Sequence, residues 1–183
     1  MFRGLKKNEL TLVRRGLDYW GAFDLSKDLN LIAKQDQGEK VEIFATTPEV
    51  KFFAIGREPE PMTAGLCIGE AGKKQFFPTL EGLYMIARVS DKKKVKVTGQ
   101  AEALVLYGRD VFGSSISWAE ESIAQNERVI IANKFGEAIG VGRARTNYKE
   151  IFADKVTVTN EADVGLYIRN QDLMAGSTCR IGF

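Results

Sequence analysis

Two arginines at alternating positions, Arg143 and Arg145, are the side chains of this sequence best suited to binding an anion. They follow the run Gly140-Val-Gly142, and the apolar residues that lead into it predict a β-strand. Side chains two residues apart in a strand lie on the same face, so Val141 and the two arginines share a face and the arginines form a paired cationic site. Gly140 and Gly142 then lie on the opposite face, where the missing Cβ lets another backbone or a ligand approach closely.

The sequence contains few of the residue types that carry out catalysis or bind metals. The chain has no histidine, the commonest general base, and its two cysteines, Cys67 and Cys179, are too few for a zinc ribbon or a disulfide framework. Asp18, Asp24 and Asp28 are close in sequence, but they flank the end of a predicted helix, which favours solvated or capping roles. We therefore expect no catalytic residue, no metal and no cofactor.

One glycine-rich segment, Gly69-Glu-Ala-Gly72-Lys73-Lys74, invites comparison with a phosphate-binding loop. That motif needs glycine where Cys67 stands and Ser or Thr where Lys74 stands, so two of its four fixed positions fail. A solvated basic hairpin is the better interpretation. Its lysines are the alternative anion-binding site if the arginine pair does not bind the anion.

Composition narrows the class of protein. The chain has 183 residues, 44% hydrophobic and 27% charged, with a net charge of +2. These values fit one or two small folded domains and argue against disorder or a membrane span. Positive and negative side chains balance from Lys94 onward, so an anionic partner must be held by a local cluster of cations. No secretory leader is visible, and we expect a cytoplasmic protein.

The first half predicts an antiparallel sheet with flanking helices, which places the chain in the α+β class. Apolar residues recur every three or four positions between Leu5 and Trp20, as in an amphipathic helix. A second helix is predicted from Pro78 to about Val89. Strands are predicted at 29–34, 40–45, 50–55, 64–68 and 75–77, with a hairpin turn at 36–39.

A polar run, Ser90 to Lys94, separates two sets of apolar segments and predicts a domain boundary. The domains are then 1–90 and 94–172, followed by a tail, 173–183, that docks at an unspecified place. In the second domain a short helix, ended by Gly108, is predicted among five or six short strands. This pattern suggests a compact β-barrel.

The second half resembles a PUA domain, and the whole chain resembles the Nip-seven family of large-ribosomal-subunit biogenesis factors in its short archaeal form. In that family an N-terminal α/β domain precedes a C-terminal PUA domain. The resemblance is carried by Gly65-Leu-Cys-Ile-Gly69, Ala101-Glu with Leu106-Tyr-Gly108, Gly140-Val-Gly142, and Ala162-Asp-Val-Gly165-Leu-Tyr167-Ile168-Arg169. The last string is the most specific, because packing of a β-barrel does not require it.

The resemblance implies a non-catalytic, RNA-binding role on pre-ribosomal RNA, with a single-stranded or loop segment, uridine-rich segments included, bound by the PUA domain. Basic side chains carry this contact in archaeal members. By position these are Arg143, Arg145, Lys149 and Lys155, and Tyr148 completes the surface. The resemblance also implies a monomer that works with other ribosome assembly factors, away from membranes.

Two other functions fit the same sequence. The protein could be an adaptor whose N-terminal domain recruits assembly or RNA-processing factors, or an accessory factor in RNA modification. A solvated barrel edge would also account for the four basic residues. Comparing the RNA affinity of the isolated domains would separate an RNA-led from a protein-led role.

Overall fold

The computed structural model describes residues 1–35 and 40–169, so the turn predicted at 36–39 and the tail at 173–183 lie outside the described residues. Contacts between Cα atoms divide the described residues into two units, Met1–Gly82 and 83–169. Each unit has its own sheet.

The first unit is built on an antiparallel sheet in which every strand pairs with its neighbour in sequence. Its order is β1-β2-β3-β4-β5. One cluster of buried residues packs Phe2 of the first strand edge-to-face on Phe44 of the third, with ring centroids 5.3 Å apart. The elements are β1 (Phe2–Arg3), α1 (Lys7–Tyr19), α2 (Leu25–Asp28), β2 (Asn30–Gln35), β3 (Val41–Thr46), α3 (Pro48–Ala54), β4 (Leu66–Ala71), β5 (Phe76–Pro78) and α4 (Leu80–Val89), which continues into the second unit.

The strand predicted at 50–55 is wrong, because α3 occupies this segment. Thr47 caps the helix, its side-chain oxygen accepting the backbone N–H of Val50 at 3.3 Å, and a proline fills the first turn. Phe52 and Phe53 are of a residue type that is enriched in strands, but here they lie on the helix and are 71% and 59% exposed. Local capping therefore outweighs β-propensity here.

The second unit is a curved, six-stranded sheet in the order β7-β11-β10-β9-β6-β8. The two edge strands are consecutive in the chain and joined by a three-residue 3-10 helix, so the sheet curls into a nearly closed barrel. Its elements are β6 (Lys94–Val97), α5 (Gly99–Leu106), β7 (Val111–Phe112), a 3-10 helix (Gly113–Ser115), β8 (Ile116–Ala119), β9 (Arg128–Ala132), β10 (Ala138–Ala144), a 3-10 helix (Tyr148–Glu150), β11 (Val156–Asp163) and α6 (Leu166–Arg169). Aliphatic side chains fill the barrel, among them Val95, Val97, Val129, Ile131, Ala144 and Val158.

The polar run at Ser90–Lys94 is structured at its end. The ammonium group of Lys94 is buried, where it donates to the carbonyl oxygen of Ala87 and to Asp91, both at 2.7 Å. Lys93 is also buried and forms an ion pair with Glu127 at 2.5 Å. The charge of these two lysines therefore does not mean that they are exposed, because each buried ammonium group is paired with a carboxylate.

An ion pair ties β1 to α1. Arg3 donates from two guanidinium nitrogens to the carboxylate of Glu9 at 2.8 and 2.7 Å, and the backbone N–H of Lys6 donates to the same carboxylate at 2.7 Å. These hydrogen bonds, led by Arg3, hold the pKa of Glu9 below its ordinary value near 4.5, although burial acts in the opposite direction. The ionised form of Glu9 is therefore the one that the fold stabilises.

Glu9→Gln should lower the free energy of unfolding near neutral pH and remove part of the loss of stability on acidification. A carboxylate with a depressed pKa stabilises the fold above its unfolded pKa, and this contribution disappears as pH falls through the lower folded pKa. Urea unfolding at a series of pH values from about 7 to about 3 should show the wild type and variant converging on the acid side. If the difference in unfolding free energy between wild type and variant did not narrow as pH falls, ionisation of Glu9 would not stabilise the fold.

Candidate nucleic-acid interface

Arg143 lies near the end of β10, between β9 and β11, and Arg145 directly follows the last residue of that strand, Ala144. Arg143 pairs in register with Arg128 of β9 and with Thr159 of β11. A bulge between Val141 and Gly142 shifts the pairing with β11 just before the arginines. This shift determines which β11 side chains the arginines meet.

Gly142 is required by the close approach of β11 to β10. A methyl group at this position would collide with the carbonyl oxygen of Thr159 and come within 2.7 Å of Val158 Cγ1 and 3.1 Å of Ile131 Cδ1. The last two contacts belong to the barrel core. The absence of a side chain at Gly142 therefore makes room for the backbone of β11.

Gly142→Ala should destabilise the protein by about 1 to 3 kcal/mol, since the added methyl must displace strand backbone. Gly99→Ala is the matched control: no atom lies within 4 Å of its new methyl group, and it should be neutral or slightly stabilising. Thermal unfolding of both variants makes the comparison. Equal melting temperatures would show that β10 and β11 can separate at no cost.

Arg143 is held by an acid on the adjacent strand. Its Nε lies 2.8 Å from Glu161 Oε1, and Nη1 donates to the carbonyl oxygen of Asn126 at 2.9 Å. The other oxygen of Glu161 accepts from Arg128 Nε at 2.9 Å, so one carboxylate lies between two guanidinium groups. The Arg143 side chain nevertheless remains 42% exposed.

Arg145 is held more loosely. Its Nε donates to the hydroxyl oxygen of Thr159 at 2.6 Å, and its Nη2 lies 3.8 Å from Asp110 Oδ2. The side chain is 55% exposed. The surface thus combines three arginines with two acids, and its net positive charge is smaller than the arginine pair alone suggests.

The other three predicted residues belong to the connection between β10 and β11. Tyr148 and Lys149 lie in its 3-10 helix, and Lys155 directly precedes β11. Tyr148 packs partly on the barrel core and edge-to-face on Phe152, with ring centroids 5.9 Å apart. Lys149 is exposed, and Lys155 pairs weakly with Glu150 at 3.5 Å. All five predicted residues therefore belong to β10 or to the segment that leads from it into β11.

Sequence reasoning missed the partners of the arginines, Arg128, Glu161 and Asp110. Thr159 and Glu161 are two residues apart in β11, as Arg143 and Arg145 are at the end of β10 and just beyond it, and this spacing is a usable signal once the two strands are known to pair. The bulge in the pairing of β10 with β11 interrupts the regular register, so counting residues along the two strands does not give the correct partners.

The segment 162–169, the most specific part of the resemblance, has a structural role: its hydrogen bonds connect neighbouring elements. Asp163 is 3% exposed and accepts from both terminal nitrogens of Arg169 at 3.0 Å and from the backbone N–H of Gly165 at 2.9 Å. Arg169 also donates to the carbonyl oxygen of Leu106 at the end of α5. Asn160 joins the same cluster, with Nδ2 contacting Asp163 at 3.3 Å. These contacts fasten β11, α6 and the end of α5 together.

Within residues 1–35 and 40–169, no three cysteine, aspartate or glutamate side chains are grouped so that they could hold a metal ion. The helices of this part of the chain are all too short or too polar to span a membrane.

The fold and the arginine-bearing strand define a two-part protein in which a small α/β unit precedes a PUA-type barrel. Family models match both parts: residues 2–80 match the NIP7/UPF0113 pre-PUA domain, and residues 93–172 match the UPF0113 PUA domain. The chain is 36% identical over 173 residues to a UPF0113 protein of Archaeoglobus fulgidus, an alignment covering 93% of this chain and 95% of that protein. This chain belongs to the UPF0113/NIP7 family, as the sequence resemblance predicted.

Eukaryotic relatives match over a shorter range. The 60S ribosome subunit biogenesis protein NIP7 homologs of Tetraodon nigroviridis and Xenopus laevis are 30% and 31% identical over 115 and 114 residues. These alignments cover 61% and 60% of this chain and 63% of each relative, which is less than two thirds of its length.

Solved structures confirm the predicted α+β fold with its PUA-type barrel. A conserved PUA domain protein from Thermoplasma acidophilum superposes with a TM-score of 0.66 at 17% identity, covering 90% of this chain and 95% of that one. A hypothetical protein from Pyrococcus horikoshii OT3 gives 0.61 at 17% identity, with coverages of 87% and 92%. At these identities the likeness shows the fold alone.

Proposed function

We propose that this protein is a non-catalytic RNA-binding factor of large-ribosomal-subunit assembly that binds pre-ribosomal RNA through its PUA domain. The observation that carries the proposal is the exposed arginine pair, Arg143 and Arg145, on the barrel of a family whose eukaryotic members are named as ribosome subunit biogenesis proteins. Lys149, Lys155 and Tyr148 extend the surface along the connection to β11.

The geometry suits phosphate better than a base edge. A guanidinium group binds phosphate in two-point geometry, and each arginine already has one nitrogen fixed by β11, at Glu161 or Thr159. Fixing the side chain lowers the entropy lost when RNA binds. The lysines of the connection act as more mobile point charges, and Tyr148, held by Phe152, offers an aromatic ring for stacking.

Ultraviolet crosslinking in cells tests this assignment. We expect crosslinked peptides from residues 143–155, attached to RNA from the large-subunit precursor. Single-stranded and loop segments should be enriched, because an arginine surface with one aromatic ring reads exposed backbone and unstacked bases. Crosslinks confined to residues 1–82, or to mature messenger RNA, would contradict the assignment.

An adaptor function is the second candidate, favoured by an exposed apolar patch in the first unit. Phe52 and Phe53 of α3 are largely exposed and contact each other edge-to-face, with ring centroids 5.7 Å apart. The guanidinium group of Arg57 lies over both rings, 5.9 and 5.0 Å from their centroids. Patches of this kind often mark protein interfaces. Loss of co-purifying assembly factors from a Phe52→Ser/Phe53→Ser variant, with RNA affinity unchanged, would support this function.

We also propose that 1–90 and 94–172 are separate domains. The gap between the two family matches, from residue 80 to residue 93, supports a boundary in this segment. If the proposal holds, the isolated second domain should retain most of the RNA affinity of the full chain. An unfolded second domain would place the boundary elsewhere.

A further inference from the structure

Two exposed aromatic rings in the second unit each have a lysine lying over them. Phe135, in the turn between β9 and β10, is 76% exposed, and Trp118 of β8 is 37% exposed. The ammonium nitrogen of Lys134 lies 4.9 Å from the centroid of the Phe135 ring, and that of Lys96 lies 5.1 Å from the Trp118 ring. We call these four residues the aromatic–lysine surface.

Strand pairing brings the two aromatic–lysine pairs together. Lys96 of β6 pairs in register with Trp118 on one side and with Ala132, the last residue of β9, on the other. A methyl group placed on Gly136 would lie 3.8 Å from the ammonium nitrogen of Lys96. Lys96 therefore lies between Trp118 and the turn that carries Phe135, so the two pairs belong to one surface.

Hydrogen bonds fix the backbone of the turn that carries Phe135. The side-chain oxygen of Asn133 accepts the backbone N–H groups of Phe135 and Glu137, both at 3.0 Å. The backbone N–H of Asn133 donates to the carbonyl oxygen of Glu137 at 3.0 Å, and that of Lys134 donates to Glu102 Oε1 of α5 at 3.2 Å. The turn is therefore ordered before a ligand arrives, which lowers the entropy cost of binding.

The charges of this surface are nearly balanced, because Glu102 and Glu137 are bonded to the turn that carries Lys134. A ligand bound here is therefore held mainly through the flat faces of the rings and only weakly through charge. Lysine is depleted from the cores of protein–protein interfaces, whereas sites for single-stranded nucleic acid combine aromatic rings with cations. The composition of the surface thus favours unpaired bases over a protein partner.

We propose that the aromatic–lysine surface stacks unpaired bases of a single-stranded RNA, one on Phe135 and one on Trp118. This inference rests on the RNA-binding function proposed above and adds a second contact, separated from Arg143 by the length of β10, roughly 20 Å. An exposed cation–π contact is weaker than the stacking of a base on an aromatic ring. The incoming base therefore displaces the ammonium group, which stays close enough to pair with the phosphate of the same nucleotide.

Substitutions of Phe135 test the stacking. Phe135→Ser is expected to raise the Kd of the full chain for a twelve-nucleotide oligouridylate at least about fivefold, the effect of losing one stacked base. Phe135→Leu keeps an apolar side chain without a flat face and should lose as much, whereas Phe135→Trp should keep the wild-type affinity. None of these changes alters a charge, so the salt dependence should keep its wild-type slope, in contrast to Arg143→Ala/Arg145→Ala.

Phe52→Ser is the matched control, because Phe52 of α3 is similarly exposed, at 71%, and lies in the first unit. Its Kd should stay within about twofold of wild type. An equal loss of affinity in this control would overturn the proposal. So would a Phe135→Ser variant that bound the oligonucleotide as tightly as wild type, or one that lost a co-purifying protein and kept its RNA affinity.

Amide spectra of the ¹⁵N-labelled full chain show where the oligouridylate lies. We expect the amide signals of Phe135 and Gly136 and the indole signal of Trp118 to shift during the titration. The same signals should shift in Arg143→Ala/Arg145→Ala at higher RNA concentration, which separates this surface from the arginine pair. If these signals stayed unchanged while RNA bound through the arginines, the stacking proposal would be wrong and the proposed function would stand.

Discussion

Replacing Arg143 and Arg145 together by alanine is expected to weaken RNA binding and to flatten its salt dependence by about 1 to 1.5 units of slope. If the wild type neutralises about four phosphates, log affinity falls with log salt at a slope of roughly −3, since each contact on a single strand contributes about −0.7. Removing two arginines removes two of these contacts. The effect should be similar for uridine-rich and adenine-rich strands if the contacts are to phosphate.

The measurement is a titration of wild type and variant with both oligonucleotides at several salt concentrations. The variant should remain folded, because both side chains are substantially exposed and contribute little to the core. Lys27→Ala/Lys40→Ala is the control, because it removes two positive charges in the first unit from lysines that pair with Asp24 and Glu70, and it should leave the slope nearly unchanged. If the arginine variant kept the wild-type slope, the phosphate contacts would lie elsewhere, and Lys73 and Lys74 of the first unit would be the next candidates.

Glu161→Gln is expected to change RNA affinity in the opposite direction to the double arginine variant. Glu161 neutralises Arg128 and Arg143 at the same time, at 2.9 and 2.8 Å. Without its charge the surface becomes more positive, so RNA affinity should rise and the slope should steepen. A variant that bound more weakly would mean that Glu161 chiefly orients Arg143, and that orientation matters more than charge.

The difference between the predicted and observed site comes from contacts that are distant in sequence. Period-2 spacing, which is a local signal, predicted a strand through both arginines; β10 contains Arg143 but ends at Ala144, before Arg145. The pairing of Arg143 with Glu161 depends on how β10 and β11 align, and the bulge at Gly142 changes that alignment by one residue. No local pattern carries this information.

The fold shows the same division between local and non-local signals. Hydrophobic periodicity predicted α1, and the strands predicted at 29–34 and 40–45 lie within one residue of β2 and β3 at each end. The strand order β7-β11-β10-β9-β6-β8, with β6 parallel to β9, joins segments far apart in the chain and is fixed by barrel closure. At α3 the predicted strand was wrong although the decisive signals, the cap at Thr47 and the proline at the first helical position, were local.

Removal of the buried carboxylate in Asp163→Ala is expected to cause the largest loss of stability, about 3 kcal/mol or more. Asp163 is 3% exposed, and its loss leaves the guanidinium group of Arg169 without its acidic partner and the N–H of Gly165 without its acceptor. An unpaired, partly buried charge costs more than a lost surface ion pair. The attachment of α6 and β11 to the end of α5 should loosen as a result.

Urea unfolding of the Asp163→Ala variant, with Asp163→Asn and Asp154→Ala beside it, measures this effect. The asparagine keeps an acceptor for Gly165 and loses only the charge, so its stability should fall between wild type and alanine. Asp154 is exposed and bonded to Ser114, so its replacement should cost less than about 1 kcal/mol. If Asp163→Ala were no less stable than Asp154→Ala, the segment 162–169 would not have this structural role. The presence of this family-specific sequence would then need a functional explanation.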